Sequence, residues 1–264
     1  MVDIMLEKKN KCVCNSTEFK EYHKHSQTLD LFVEYVQCKS CGMITAPESK
    51  NYNLSKIYTD EYFTKVDHGW KGRAKIVCIY IKYINTLVPL KKMQICDFGA
   101  GNGYLSKALI DKEFNVLAYE PFTQKNTYLE KSYYCDAPFN ADVLLMVEVF
   151  EHFTNAFEEI RKILADFHDP KLIIFTTNLT DNASKPIDDW FYLEPDSGHF
   201  TLWSKKSLTL LGEMNGYKLI SLDDTFLHIF CKASDMKMCN NLKILSIPVR
   251  FAMKIRGFVK EFFK

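Results

Sequence analysis

From residue 93 onward, short apolar runs alternate with amphipathic stretches. "MQICDFG", "NVLAYEP", "ADVLLMVEV" and "KLIIFTTN" are brief and apolar, as strands buried on both faces are. "AGNGYLSKALIDK" and "NAFEEIRKILADF" fall between them and are helix-like. This alternation predicts a parallel sheet covered by helices on both faces. Upstream, "GWKGRAKIVCIYIKYINTLV" has helical periodicity and is expected to cover the sheet before its first strand. Near the C-terminus, Phe251, Ile255, Phe258 and Phe262 form one helical stripe. Arg250, Lys254, Arg256, Lys260 and Lys264 occupy much of the remainder. Such a helix either lies on a membrane surface or docks on the domain or on a second subunit.

The totals fit this picture. The chain has 264 residues, 47% hydrophobic and 25% charged, enough for one domain with a small appendage. Its net charge of +1 provides no global field for nucleic acid, which makes nucleic acid an unexpected partner. No run approaches the roughly 20 apolar residues that span a bilayer, and "MVDIMLEKKN" lacks a signal-peptide core. A cytoplasmic protein with reduced cysteines is therefore expected. Cys78, Cys96 and Cys231 lie in apolar runs and read as core residues, whereas Cys135 and Cys239 carry no signal. Cys12, Cys14, Cys38 and Cys41 form two close pairs across a short polar and aromatic stretch. Four thiolates suit a structural zinc ion that replaces the core so short a segment lacks. "CKSCG" has the usual spacing; Cys12-Val13-Cys14 is one residue short, so His23 or His25 is an alternative to Cys12.

Two further stretches carry chemistry. Asp97-Phe98-Gly99-Ala100-Gly101-Asn102-Gly103 joins the first strand to its helix, where glycines let the backbone turn sharply and approach a ligand. Glu120 ends the next strand, where a carboxylate can accept both hydroxyls of a ribose. The spacing departs from the dinucleotide fingerprint, because Tyr104 and Ser106 stand where a third glycine would. "VEVFEHF" places Glu148, Glu151 and His152 at helical spacing for one face. His199 lies in "GHFTLWS", at the end of a long acidic and aromatic segment that reads as a substrate loop, residues 178–203. Within that segment Trp190, Tyr192 and Trp203 read as packing residues rather than sugar-stacking platforms.

"ICDFGAGNGYLSKAL", "LAYEP" and "ADVLLMVEVFEHF", in that order, resemble the first, second and fourth motifs of class I S-adenosylmethionine-dependent methyltransferases. The resemblance spans residues about 58 to 232. It implies an α/β fold with a Rossmann-like seven-stranded sheet whose last two strands, in "YKLISLDD" and "TFLHIFCKA", are antiparallel. It also implies that Asp97, Gly99, Gly101 and Gly103 surround the amino acid end of the cofactor. Glu120 would hold the ribose and Asp136 the adenine amino group. Only 21 residues separate Glu120 from Asp142, so the third motif is compressed.

The cysteine pairs and "IYTDEYF" resemble a bacterial subgroup with a zinc ribbon before the methyltransferase domain, active in sugar, antibiotic and surface-polysaccharide pathways. That implies O-methylation of a small, carbohydrate-linked hydroxyl acceptor. The ExxEH pattern with a later histidine resembles plant small-RNA 2′-O-methyltransferases. It implies a divalent metal (Mg²⁺, Mn²⁺, Fe²⁺ or Zn²⁺) on Glu148, Glu151, His152 and His199. Without a metal, His199 or His152 would act as base beside Glu148. An RNA methyltransferase and an inactive cofactor-binding scaffold are the rival readings. The expected division is a ribbon at 1–50, a helical cover at 51–92, a core at 93–233 and a basic tail at 234–264.

Overall fold

The computed structural model describes residues 12–58, 69–121 and 128–262, the last of these with side chains through Phe251. In chain order its strands are β1 (Phe19–Ser26), β2 (Leu31–Cys38), β3 (Ile44–Thr45), β4 (Ile95–Phe98), β5 (Val116–Tyr119), β6 (Val143–Met146), β7 (Leu172–Thr176), β8 (Thr201–Leu202), β9 (Tyr217–Ser221) and β10 (Leu227–Lys232). The helices are α1 (Trp70–Ile84), α2 (Tyr104–Ile110), α3 (Ala156–Asp166), α4 (Lys205–Met214) and α5 (Met236–Phe262). The chain divides into two compact units, each drawn from three stretches.

The sheet unit comprises residues 71–147, 164–176 and 216–264. Its strand order is β5-β4-β6-β7-β10-β9, with β5, β4, β6 and β7 mutually parallel and β10 antiparallel to both β7 and β9. Every residue of β4, β6 and β7 is buried, so both faces of these strands are covered, as their unbroken apolar runs require. Helix α1 buries Ala74, Val77, Cys78, Ile81 and Ile84 in the same core as Ile95, Val143 and Ile174. The antiparallel last pair is where the resemblance puts it.

The described sheet has six strands, where seven were expected. Beyond β5 the chain makes a single parallel bridge, Ala118 to Tyr134, and the Cys135 N–H donates to the Ala118 carbonyl at 2.8 Å. With 21 residues between Glu120 and Asp142, the chain must turn back to β6 before it can extend that bridge into a strand.

The ribbon unit comprises residues 1–70, 148–163 and 177–215. Its sheet runs β1-β2-β3-β8, antiparallel throughout. The fourth strand comes from the distant segment 178–203. That segment also supplies Trp190, Tyr192, Leu193, Phe200 and Leu202 to a core shared with Val33, Tyr35 and Ile44 of the hairpin strands. Trp190, Tyr192 and Trp203 are all buried, so their packing role holds.

"VEVFEHF" does not form an α-helix. Glu148 has φ +53°, a left-handed conformation, and only Phe150–His152 form a single 3₁₀ turn. Helix α3 starts later, at Ala156, where the Glu159 carboxylate accepts from the Thr154 and Asn155 N–H groups at 2.9 and 2.6 Å. The turn, and not a helical face, therefore sets the directions of Glu151 and His152.

Candidate functional site

In the sheet unit, the β4–α2 connection is built around three glycines with positive φ: Gly99, Gly101 and Gly103. A Cβ on Gly103 would come within 2.5 Å of Leu129 Cβ and 2.6 Å of Tyr134 Oη, so the chain's own packing excludes a side chain there. The Glu120 carboxylate, at the end of β5, accepts from the Gly101 N–H at 2.6 Å and so fixes the loop. Asp97, fully buried, accepts from the Ser106 hydroxyl at 2.5 Å. Burial pushes its carboxyl up to about 7, the Ser106 hydrogen bond opposes the shift, and the Glu120 charge adds to it. Asp136 is exposed in a bend two residues after the Tyr134 bridge. Two carboxylates at the carboxyl ends of adjacent parallel strands, beside a glycine turn, fit a ligand with an ammonium group and ribose hydroxyls.

In the ribbon unit, Glu151, His152 and His199 converge, with one ligating atom from each lying within 4.8 Å of the others. Glu148, the fourth residue of the expected set, is not in this grouping. The Glu151 Oε1 accepts from Tyr192 Oη at 2.6 Å in a fully buried setting. Burial, then the Glu148 and Glu151 charges, hold Tyr192 well above the usual phenol range, so it remains a donor. His199 Nδ1 lies 2.9 Å from the Tyr192 carbonyl. A carbonyl only accepts, so in the neutral ring the proton sits on Nδ1 and the lone pair on Nε2. His152 Nδ1 lies 2.9 Å from Tyr58 Oη and 3.1 Å from the Gly198 carbonyl, and the Nδ1–H tautomer satisfies that carbonyl. The two imidazole centroids are 5.2 Å apart. One carboxylate and two imidazoles so oriented match the donor set of many divalent-metal sites, and the residues fit such an ion.

Gly198, which precedes His199, has φ +78°. A Cβ there would collide with Tyr58 Oη and come within 3.2 Å of His152 Nδ1. The glycine was a usable sequence signal. Two other supports left no such signal. Tyr35 in β2 donates from its hydroxyl to the His199 carbonyl at 2.9 Å, across 164 residues of sequence. Asp196 accepts from Ser26 Oγ at 2.6 Å and from the Thr28 N–H at 2.9 Å, tying the β1–β2 turn to the turn before His199. Tyr62 and Phe63, the other aromatics of "IYTDEYF" and its surroundings, lie outside the described residues.

Cys12, Cys14, Cys38 and Cys41 bring their four sulfurs within 4.8 Å of one another. The Cys12–Cys41 and Cys14–Cys38 separations are both 3.5 Å. Sulfurs about 2.3 Å from a tetrahedral zinc lie about 3.8 Å apart, so the cluster fits the ion. The short CxC pair works because Asn15 adopts φ +70° and its N–H closes a turn on the Cys12 carbonyl at 2.7 Å. His23 and His25 take no part in the cluster. The knuckle is received by residues at the start of α4. Ser204 Oγ donates to the Cys41 carbonyl and Lys206 Nζ to the Ser40 carbonyl at 3.0 Å, while Thr180 Oγ1 donates to the Gly42 carbonyl at 2.9 Å.

The parallel sheet with an antiparallel last pair, the glycine turn and the acidic strand end define a class I methyltransferase. Residues 72–222, more than half of the chain, match the family model described as a methyltransferase domain, and the chain belongs to that family of S-adenosylmethionine-dependent enzymes. No curated protein matches it in sequence. Among solved structures it is similar to Burkholderia thailandensis 1,6-didemethyltoxoflavin-N1-methyltransferase with bound 1,6-didemethyltoxoflavin and S-adenosylhomocysteine. That likeness has a TM-score of 0.51 at 11% identity and covers 80% of this chain and 97% of that one. A Haloferax volcanii methyltransferase complex with the Trm112 activator is similar at TM-score 0.48 and 13% identity, over 65% of this chain and 96% of that one. The methyltransferase domain of bacterial CtHen1 is similar at TM-score 0.42 and 17% identity, over 61% and 98%. The likeness to the Burkholderia thailandensis enzyme shows the fold.

Proposed function

We propose that this methyltransferase acts on oxygen, with a small hydroxyl compound of the sugar or nucleotide-sugar class as acceptor. The observation that carries the reading is the pair of imidazoles, His152 and His199, with ring centroids 5.2 Å apart and each fixed through Nδ1, His199 against the Tyr192 carbonyl and His152 beside the Tyr58 hydroxyl and the Gly198 carbonyl. A hydroxyl must lose its proton to become a good methyl acceptor, and a fixed imidazole lone pair can take it. The sugar class rests on the resemblance of the N-terminal segment alone. An RNA acceptor ranks lower, because a net charge of +1 offers little to a phosphate backbone.

S-adenosylmethionine, when bound, supplies an electrophilic methyl group. The carboxylates of Asp97 and Glu120 suit its ammonium and ribose hydroxyls, and the Glu120–Gly101 hydrogen bond ties the glycine loop to the end of β5. Asp136 would reach the adenine amino group. In the ribbon unit, Glu151, His152 and His199 would hold a divalent cation, with Glu148 as a fourth donor. Such an ion lowers the pKa of a hydroxyl bound to it. Without the ion, His199 or His152 accepts the acceptor's proton. The four cysteines would hold a structural zinc.

The test is methyl transfer from labelled S-adenosylmethionine to a panel of nucleotide sugars and to bulk RNA. His199→Ala should lower kcat by roughly 10²-fold or more while leaving cofactor affinity by calorimetry nearly unchanged. A chelator that stops turnover while the cysteine-bound zinc stays in place favours the cation; undiminished turnover favours the imidazole base. Faster transfer to RNA than to any sugar would reverse the acceptor reading. Wild-type turnover in His199→Ala would remove that residue from the chemistry.

A further inference from the structure

Helix α5 packs one face on β9 and β10, burying Cys239, Leu242, Leu245 and Ser246. A surface helix docked this way ordinarily turns polar residues outward. Here the outward stripe is apolar: Ile244, Ile247 and Phe251 are 57%, 66% and 66% exposed. Their spacing of three and four aligns them on one side, and the sequence repeats it at Ile255, Phe258 and Phe262. The charge of the segment is as one-sided as its hydrophobicity. Residues 236–264 contain seven Lys and Arg, among them Lys237, Lys243, Lys254 and Lys260, against the single acid Glu261. In a chain of net charge +1, the rest of the molecule is therefore net acidic. Arg250 is committed within the fold, donating to the Ser221 carbonyl from Nε at 3.0 Å and lying 3.2 Å from Asp224. Lys237 and Lys243 are exposed, and the sequence adds Lys254, Arg256, Lys260 and Lys264 further along the segment.

We propose that the outer stripe of α5 binds an anionic lipid surface. The apolar residues would enter the boundary between headgroups and acyl chains, and the lysines would meet the anionic headgroups. Among the described residues, no helix is long and apolar enough to cross a membrane, which suits a helix lying in the surface plane. Pairing of α5 with α5 of a second copy is disfavoured, because it would bring two strongly cationic segments together.

Co-sedimentation of the full chain with vesicles tests this. Vesicles of phosphatidylcholine with phosphatidylglycerol should retain the protein, vesicles of phosphatidylcholine alone should not, and added salt should release it. The double variant Ile247→Asp/Phe251→Asp should bind roughly tenfold or more weakly. Lys243→Glu/Lys254→Glu, which leaves the apolar stripe intact, should do the same. Both should keep the parent's thermal midpoint and its S-adenosylmethionine affinity. Failure to bind anionic vesicles at low salt would overturn the proposal, as would equal binding to both vesicle types. A concentration-dependent dimer that Ile247→Asp/Phe251→Asp abolishes would assign the stripe to a second copy instead and overturn it equally.

Discussion

In the sheet unit, β4, β6 and β7 are buried at every position, and the residues that pack against them are apolar. The ribbon unit is held differently. Its stretches share an apolar core, with Trp190, Tyr192 and Phe200 packed with Val33, Tyr35 and Ile44, and are also joined by individual polar bonds between distant residues: Tyr35 to His199, Ser26 to Asp196, Thr180 to Gly42 and Ser204 to Cys41. Apolar burial spreads stability over many atoms, so losing one costs a small share of the whole. A polar bond of this kind resides in two atoms, and one substitution removes it. The ribbon unit, which carries the Glu151–His152–His199 group, should therefore be the more sensitive to single changes at these polar contacts.

The largest expected effect comes from the four-cysteine cluster and the structural zinc proposed for it. Cys38→Ser leaves three thiolates, and a structural zinc contributes many kcal/mol to so small a fold. Metal analysis should find the zinc lost. Amide hydrogen exchange should quicken in β1, β2, β3 and β8 while β4, β6 and β7 stay protected. Retained zinc with unchanged exchange would show that apolar packing alone supports the hairpin and would erase the contrast between the units.

The same contrast explains what the sequence made legible. The apolar runs of β4, β6 and β7 are local signals, and each became a strand where it was expected. The glycine turn and Glu120 were readable as residue types at strand ends, although the contacts that fix their geometry, Glu120 on Gly101 and Leu129 and Tyr134 against Gly103, come from residues distant in sequence. The four cysteines were readable because metal ligands cluster by residue type, although the turn that makes Cys12-Val13-Cys14 workable depends on Asn15 adopting a left-handed conformation. The helical reading of "VEVFEHF" failed at Glu148, whose positive φ breaks the assumed periodicity. The role of Tyr192 was half visible: its ring packs as expected, but its hydroxyl also holds Glu151. Nothing local could have paired Tyr35 with His199 or Ser26 with Asp196, because those contacts exist only after two stretches distant in sequence assemble.

The sheet unit has a polar weak point of its own, and it sharpens the comparison. Asp97 has its carboxyl raised from 3.8 to about 7, chiefly by burial. Between pH about 4 and 7 the folded state keeps a proton that the unfolded chain has lost. Stability therefore falls as pH rises through that window and stays lower above it. Asp97→Asn removes this dependence. Without cofactor, the variant should exceed the parent in stability by up to a few kcal/mol at pH 8 and by much less near pH 4. Calorimetric melting of both proteins across that range gives the difference directly. The same variant should bind S-adenosylmethionine more weakly, since the carboxylate suits the cofactor's ammonium. A gap that widens toward acid would mean that Asp97 is ionised and stabilising in the fold.

The smallest effect is the most discriminating for the ribbon unit. Tyr35 is buried, and burial holds its hydroxyl well above the usual phenol range, so it remains a donor to the His199 carbonyl. Tyr35→Phe keeps the ring in the core of Val33 and Ile44 and deletes only that donor. The stability cost should be about 1 kcal/mol, the usual net value of one hydrogen bond. If the hairpin also positions His199, its main chain should lose a restraint and the imidazole its fixed direction. Turnover should then fall several-fold, with cofactor affinity unchanged, because misplacing a reacting group by a fraction of an ångström weakens the chemical step. A purely structural hydrogen bond predicts a lower melting temperature with kcat preserved at temperatures where the variant is fully folded. Steady-state kinetics well below the melting transition therefore separates the two roles. Preserved kcat in Tyr35→Phe would reduce the ribbon to a stabilising cap, whereas a several-fold loss would make β2 part of the apparatus that aims His199.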